Sequence, residues 1–446
     1  MKRRNFIKGM LGTGLVTAGS CAFRVPLIGA AQATPLNSPV VVVIFQRGGC
    51  DGLNTVVPYG DPDYYALRPQ APAGIGIPAP GQGADFSALA LTDHLGLNND
   101  LFGLHPSMAP LMPIYNAQNM AVLPTVHYPS PSHSHFSSQR YIESGVSRED
   151  FPGSDIDYQN GWLNRHLQAA GANTPLQAIG YGSKLAQALR GNVPVQSFSS
   201  INAFNLGLSG TDRQALIDNV GAIYDALPSP QDSYRELVHQ SGQTLFGNLD
   251  AISAIDTNSY SVEHGALYPN STFGRSLKET AQMIKHPSIG LEIVTIDVGG
   301  YDTHSDQGAG EPTGRLSKKL QEFSEGIAAL TTDLGERMDD VIILTMSEFG
   351  RTAKANASEG TDHGNAASWF VIGNKIQGGI YMRDQDPDGG WPGLAETNLY
   401  RDRYLASTVD YRDIFGDILN QHLGHEISEF GTLLPGHSYT PLNLIS

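Results

Sequence analysis

The sequence predicts an α/β fold, a central mostly parallel sheet flanked by helices. Three observations predict it. Short apolar runs rich in β-branched residues, with Val40 to Phe45 foremost, read as strands buried on both faces. Between them lie segments whose apolar residues step by three or four, the period of one helix face. Each run then ends in a polar, Gly- or Ser-containing stretch, the order expected where one sheet edge carries a site.

The chain opens with Lys2-Arg3-Arg4-Asn5-Phe6-Ile7-Lys8 and a weakly apolar run from Met10 to Ala22. This reads as a twin-arginine export signal over residues 1–33, with Ala31-Gln32-Ala33 as the cleavage site. Cleavage before Cys21, as in a lipoprotein, is the alternative. Gly9, Gly12, Gly14 and Gly19 interrupt the run, so a stable membrane span of about 20 residues is not expected. The expected partner is the twin-arginine export machinery, and the expected location is periplasmic or extracellular.

The strand-like runs are Val40 to Phe45, Met120 to Val126, Leu291 to Val298, Val341 to Thr345 and Trp369 to Ile372. Helical spacing is clearest at Leu316, Leu320, Phe323, Ile327, Leu330 and Leu334. It is weaker at Leu237, Leu245, Leu249, Ile252 and Ile255. A helix-like stretch runs through Glu143, and a late helix is expected from Asp410 to Leu423, stopped by Gly424. Ala71 to Asp93 reads as an excursion. Residues 34–446 are expected to form one domain, with a helical cap inserted at about 151–258.

Composition narrows the function classes. The net charge is −16, and removing a leader with five basic and no acidic residues takes it to −21. A body that acidic is a poor non-specific partner for nucleic acid. Cys21 and Cys50 are the only cysteines, so leader cleavage leaves Cys50 alone and excludes an intramolecular disulfide. Cys50 beside Asp51 is expected to be a structural thiol rather than a nucleophile.

Polar motifs fall at the strand ends. Asp51 follows the first run, Asp302 and His304 the third, and Glu348 the fourth; Asp362 and His363 precede the fifth. Three carboxylates (Asp51, Asp302, Glu348) and two imidazoles (His304, His363) form an oxygen-and-nitrogen set suited to a divalent ion: Zn²⁺, Mn²⁺, Mg²⁺ or Ca²⁺. Two such ions about 4 Å apart would clamp a phosphoryl or sulfuryl group. Each residue also has a plain reading: Asp51 in an Asx-turn, Glu348 paired with Arg351, Asp362-His363 in a polar turn. Only co-location would favour a site.

Ser130-Pro131-Ser132-His133-Ser134-His135-Phe136 opens a helix, where free N–H groups favour an anion or alkoxide. Ser134 is the expected nucleophile and Ser132 the alternate; the plain reading is helix capping. Arg47, Arg351 or His135 would hold non-bridging ester oxygens. The G-x-x-x-x-G-K, H-E-x-x-H, C-x-x-C and G-x-S-x-G motifs are missing from the sequence, which excludes their chemistries.

Arg47-Gly48-Gly49-Cys50-Asp51-Gly52-Leu53-Asn54 resembles the start of the exported bacterial family known as domain of unknown function 1501. Leu104-His105-Pro106, Ser134-His135-Phe136, Gly161-Trp162-Leu163, Gly300-Tyr301-Asp302-Thr303-His304, Glu348-Phe349-Gly350-Arg351-Thr352 and Thr361-Asp362-His363-Gly364 continue the likeness, from about Val40 to Gly424. That family is similar to the alkaline phosphatase and sulfatase superfamily. The resemblance implies an alkaline-phosphatase-like fold, a one- or two-metal site at the strand ends and a nucleophile at a helix start. By position, Asp51, the Asp302/His304 pair and His363 match metal ligands, while Glu348-Phe349 stands where the superfamily has Asp-His. Phe349 therefore removes a ligand of a second metal. The expectation is an exported metal-dependent hydrolase of a phosphate or sulfate ester on a small molecule or glycan. The alternatives are a non-catalytic binding or assembly protein on a degenerate hydrolase scaffold, and a glycan-modifying transferase using the same site.

Overall fold

The computed structural model describes residues 38–446, apart from 73, 83–84, 93–99, 148–159, 173, 175, 205–209, 226–241, 243, 253–254 and 256–258, and 384–389. The leader lies outside the described residues, as do 237–241, 243 and 253–254 of the weakly helical stretch from Leu237, of which Leu249, Ile252 and Ile255 are buried.

Strand β1 is Val40–Arg47. Its residues alternate between two cores: Val40, Val42 and Ile44 enter one, Val41, Val43 and Phe45 the other. A strand buried on both faces can carry an unbroken apolar run, which is why this one reads so clearly in sequence. The remaining strands of its sheet are β2 (Met120–His127), β3 (Ala178–Tyr181), β4 (Gln196–Phe198), β5 (Ile293–Gly299), β6 (Val341–Met346), β7 (Ala367–Ile372), β8 (Gly379–Ile380) and β9 (Val409–Asp410). The order is β8-β2-β7-β6-β1-β5-β3-β4, with β9 also on β2. Among the described residues of this sheet only β7 pairs antiparallel, with β6 on one side and β2 on the other. The sheet is thus mixed and mostly parallel, as expected.

Helices cover both faces. On one side lie α4 (Thr272–Lys285) and α5 (Arg315–Leu334); Leu316, Leu320, Phe323, Ile327, Leu330 and Leu334 are all buried in that core. On the other lie α2 (Trp162–Ala169) and α6 (Tyr411–Asp417), where Trp162 stacks on Phe415 with ring centroids 4.0 Å apart. Helix α1 (His135–Ser144) follows β2 and ends at Gly145, whose φ of 64° suits glycine. Helix α3 (Gly210–Asp225) lies between β4 and α4. No helix of the described residues is long and apolar enough to cross a membrane.

Two observations differ from the expected outline. Part of the stretch at 151–258 extends the main sheet, since β3 pairs with β5 and β4 with β3. Both strands are short and contain glycine or serine, so no β-branched run announces them. The late helix keeps α-geometry only from Tyr411 to Asp417, then widens to a π-type turn over Ile418–His422 before Gly424 at φ 76°.

This topology gathers the motifs. Parallel neighbours β5, β1 and β6 end at one sheet edge, which sets 300–304, 48–51 and 347–351 side by side. Because β7 runs the other way, residues 361–363 that enter it reach the same edge. Two glycines permit the close approach: a Cβ on Gly48 would sit 2.5 Å from the Asp302 amide nitrogen, and one on Gly49 would sit 2.4 Å from the Phe349 ring.

Candidate metal centre

At this edge one carboxylate is ringed by three imidazoles. His304 Nε2 lies 3.1 Å and His363 Nε2 3.3 Å from Asp302 Oδ1, while His135 Nε2 is 3.5 Å from Oδ2. His304 Nε2 and His363 Nε2 are 3.1 Å apart. Ligand atoms of His135, Asp302 and His363 all fall within 4.8 Å of one another.

Each imidazole is aimed by its other nitrogen. His135 Nδ1 donates to Glu348 Oε1 at 2.7 Å, His363 Nδ1 to the His133 carbonyl at 2.8 Å, and His304 Nδ1 reaches Asp362 Oδ1 at 3.3 Å. With the Nδ1 protons so placed, the neutral rings present bare Nε2 lone pairs inward. The His135 Nε2 is buried and has no hydrogen-bond partner. Lone pairs facing each other and a carboxylate repel unless a cation lies among them. Atoms bound tetrahedrally at about 2.0–2.1 Å from a zinc ion stand about 3.3–3.4 Å apart, close to the separations here. The residues present therefore fit a divalent metal. Three nitrogens to one carboxylate favour Zn²⁺ or another transition ion over Ca²⁺ or Mg²⁺.

Glu348 lies behind the ring. Its side chain is fully buried, and Oε1 accepts from the Gly48 amide (2.9 Å), His135 and the Gln139 side chain (2.8 Å). Burial alone would raise this carboxyl; the bonds from His135, its own backbone, Gln139 and Gly48 outweigh that and hold it below the ordinary range. The bond to Glu348 in turn raises His135. Burial lowers His363, assisted by the charges of His135 and Arg351. Burial opposes ionisation of Asp302, but the bond and charge of Arg351, then His304 and His135, hold its carboxyl low.

Asp51 is not brought to the ring. Its side chain is fully buried; Oδ2 receives Arg68 Nη1 at 2.7 Å and Gln307 Nε2 at 2.7 Å. Arg68 also donates to Asn54 Oδ1 and the carbonyls of Thr352 and Ala353, so a guanidinium already compensates that carboxylate. Arg351 has no exposed surface either. Its guanidinium donates to the carbonyls of Gly48, Gly49, Tyr301 and Thr361 and to Asp302 Oδ1, which ties three strand-end loops together rather than facing a ligand. Arg47 is similarly held by Glu143 and Asp297.

Phe349, fully buried, packs against both imidazoles, its ring 4.8 Å from each of His135 and His363, which are themselves 4.3 Å apart edge to face. Ser134 is the residue before α1; it is exposed and its hydroxyl makes no capping bond. The Ser132 hydroxyl accepts from the Ser134 amide instead, at 3.2 Å. Cys50 is buried, and desolvation pushes its thiol up to about 12, so it is inert at neutral pH.

Sequence reasoning missed Gln139, although it lies four residues after His135 and so shares that helix face. It also missed the pairing of Asp51 with Arg68, for which no local pattern exists.

The family model described as "Protein of unknown function (DUF1501)" matches residues 38–428, and the chain belongs to that family. No curated protein matches this sequence. Among solved structures, the chain is similar to the C-terminal periplasmic domain of EcEptC from Escherichia coli in complex with Zn, at 10% identity and a TM-score of 0.35, over 76% of this chain and 74% of that one. It is also similar to alkaline phosphatase from the Antarctic bacterium TAB5, at 10% identity and a TM-score of 0.32, over 88% and 99%. A third is the phosphonate monoester hydrolase of Agrobacterium radiobacter, at 9% identity and a TM-score of 0.29, over 90% and 78%.

Proposed function

We propose that this chain is an exported, metal-dependent hydrolase of a phosphate or sulfate ester. The observation that carries the reading is the convergence of His135, His304 and His363 Nε2 atoms on the Asp302 carboxylate, each ring fixed from behind. Asp302 and His304 keep 46% of their side-chain surface exposed, so the ring is open outward, as a site that must admit substrate requires.

A bound metal would act there as a Lewis acid toward an ester oxygen. The protein supplies the rest. Glu348 and the His133 carbonyl hold the imidazoles in the tautomer that binds. Ser134, at the start of α1, has its hydroxyl uncommitted beside the helix's free N–H groups, which favour an alkoxide. In-line attack forms a bond from Ser134 Oγ to phosphorus or sulfur and breaks the ester bond; the alcohol departs with the serine proton. Water then cleaves the serine ester. Phe349 stands where a further ligand would lie, packed against both imidazoles, which restricts the centre to one metal.

Two measurements test this. Elemental analysis of protein purified without chelator is expected to give about one divalent ion per chain. Turnover of aryl phosphate and aryl sulfate is expected to vanish in Asp302→Ala and Ser134→Ala. No stoichiometric ion and identical turnover in the variants would remove the reading. Arg351 on Asp302 favours a second reading, a non-catalytic binding protein on the same scaffold, because a guanidinium already neutralises the central carboxylate. Metal retained with no turnover of either ester would favour it.

A further inference from the structure

Arg351 and Arg47 are committed inside the protein, but Arg401 is an exposed arginine close enough to act electrostatically on His133, whose carbonyl holds His363. Arg401 lies in a tight turn. The Tyr400 amide donates to the Tyr404 carbonyl at 2.8 Å, and the Tyr404 amide donates back at 3.1 Å. Within the three-residue loop so closed, Arg401 and Asp402 both adopt φ 54°, in the left-handed region. Asn and Gly normally fill those positions; arginine enters the left-handed region only against steric resistance. Such strain concentrates where a side chain must be presented to a ligand.

The turn is fastened to the metal ring at two points. The Tyr404 ring lies against His133, centroids 4.5 Å apart, and the His133 carbonyl holds His363. Arg403 Nη2 meets Asp362 Oδ2 at 3.0 Å, and Asp362 faces His304. Arg401 itself is exposed. Its guanidinium lies over the Tyr400 ring at 5.1 Å and has no carboxylate partner among the described residues, in a chain of net charge −16.

We propose that Arg401 is the anion anchor of this site: the strained turn presents its guanidinium to the charged oxygens of a sulfate or phosphate group on the substrate. The identity of the anion rests on the hydrolase reading above; the presentation of Arg401 does not. A guanidinium fork matches tetrahedral oxyanions in a way that an ammonium cannot.

The test is calorimetric titration of the purified protein, supplemented with Zn²⁺, with inorganic sulfate and with inorganic phosphate. Arg401→Ala is expected to weaken binding of at least one anion 10-fold or more, with zinc content unchanged; Arg401→Lys is expected to recover part of it. Arg401→Gly is expected to bind as poorly as alanine yet melt no lower than wild type, because glycine accepts φ 54° freely. Which anion depends more on Arg401 distinguishes a sulfate from a phosphate substrate. Equal affinity in Arg401→Ala and wild type, or no anion binding by wild type, overturns the proposal. His363→Ala separates it from the metal reading: anion binding that persists without zinc and still depends on Arg401 supports the anchor while the hydrolase reading fails.

Discussion

His304 Nε2 stands 3.1 Å from His363 Nε2, with the Nδ1 atom of each ring turned to an acceptor. Two neutral imidazoles so arranged press lone pair against lone pair, and a divalent ion relieves the conflict. His363→Ala is expected to lower zinc affinity at least 100-fold in chelator competition while the far-ultraviolet circular dichroism is unchanged. Undiminished affinity would mean the ring holds no metal.

Glu348 is expected to act on the metal through His135. Glu348→Gln exchanges an ionised acceptor for a neutral amide and should weaken metal binding about 10- to 100-fold. It should also destabilise the fold by about 1–3 kcal/mol, because the Gly48 amide and Gln139 lose a charged partner. Chelator titration and denaturant unfolding measure the two effects separately.

Ser134→Ala distinguishes chemistry from capping. The hydroxyl makes no capping bond, so stability should change by no more than about 0.5 kcal/mol. Turnover should fall about 1000-fold or more if this oxygen attacks the ester. A loss of about 1 kcal/mol of stability with full turnover would return the serine to a structural role.

The buried pair of Asp51 and Arg68 should behave as a unit. Arg68→Met leaves a carboxylate uncompensated in the interior and is expected to cost about 3–5 kcal/mol. Adding Asp51→Asn removes that charge and should restore part of the loss, as measured by a double-mutant cycle in urea.

Acid should destabilise the protein through two buried histidines that are not members of the metal ring. Burial lowers His105 to about 4 and His127 to about 3, against an ordinary value near 6.5. Between those values the unfolded chain binds protons that the folded chain does not, so stability rises with pH. The contribution is complete above pH 6.5 and is lost as pH falls toward 4. Between pH 7 and 4.5 each histidine should remove about 2–3 kcal/mol. Denaturant midpoints across that range check the sign; a flat profile would contradict it.

What could be read in advance follows from how locally each feature is encoded. Strands β1 and β6 are buried on both faces and appear as uninterrupted apolar runs, and α5 shows its face at every third or fourth residue. Strands β3 and β4 are too short to show a period. At the centre, Asp302, His304 and His363 could be grouped because each lies where a strand ends or begins. The divergent surroundings of Asp51 and Glu348 could not be read, because Arg68, Gln307 and Gln139 reach them through tertiary contacts alone.

Arg351 gathers carbonyls from both glycines after β1, from Tyr301 and from Thr361, and it grips Asp302 as well. That brace exists in the protein chain itself and owes nothing to an ion. The cage should accordingly behave as a finished socket: stripping its ion should leave the backbone in place, refilling should follow simple single-step kinetics, and different ions should exchange without passage through an unfolded chain. Selection among metals would then fall to supply and to the nitrogen-rich lining rather than to any rearrangement.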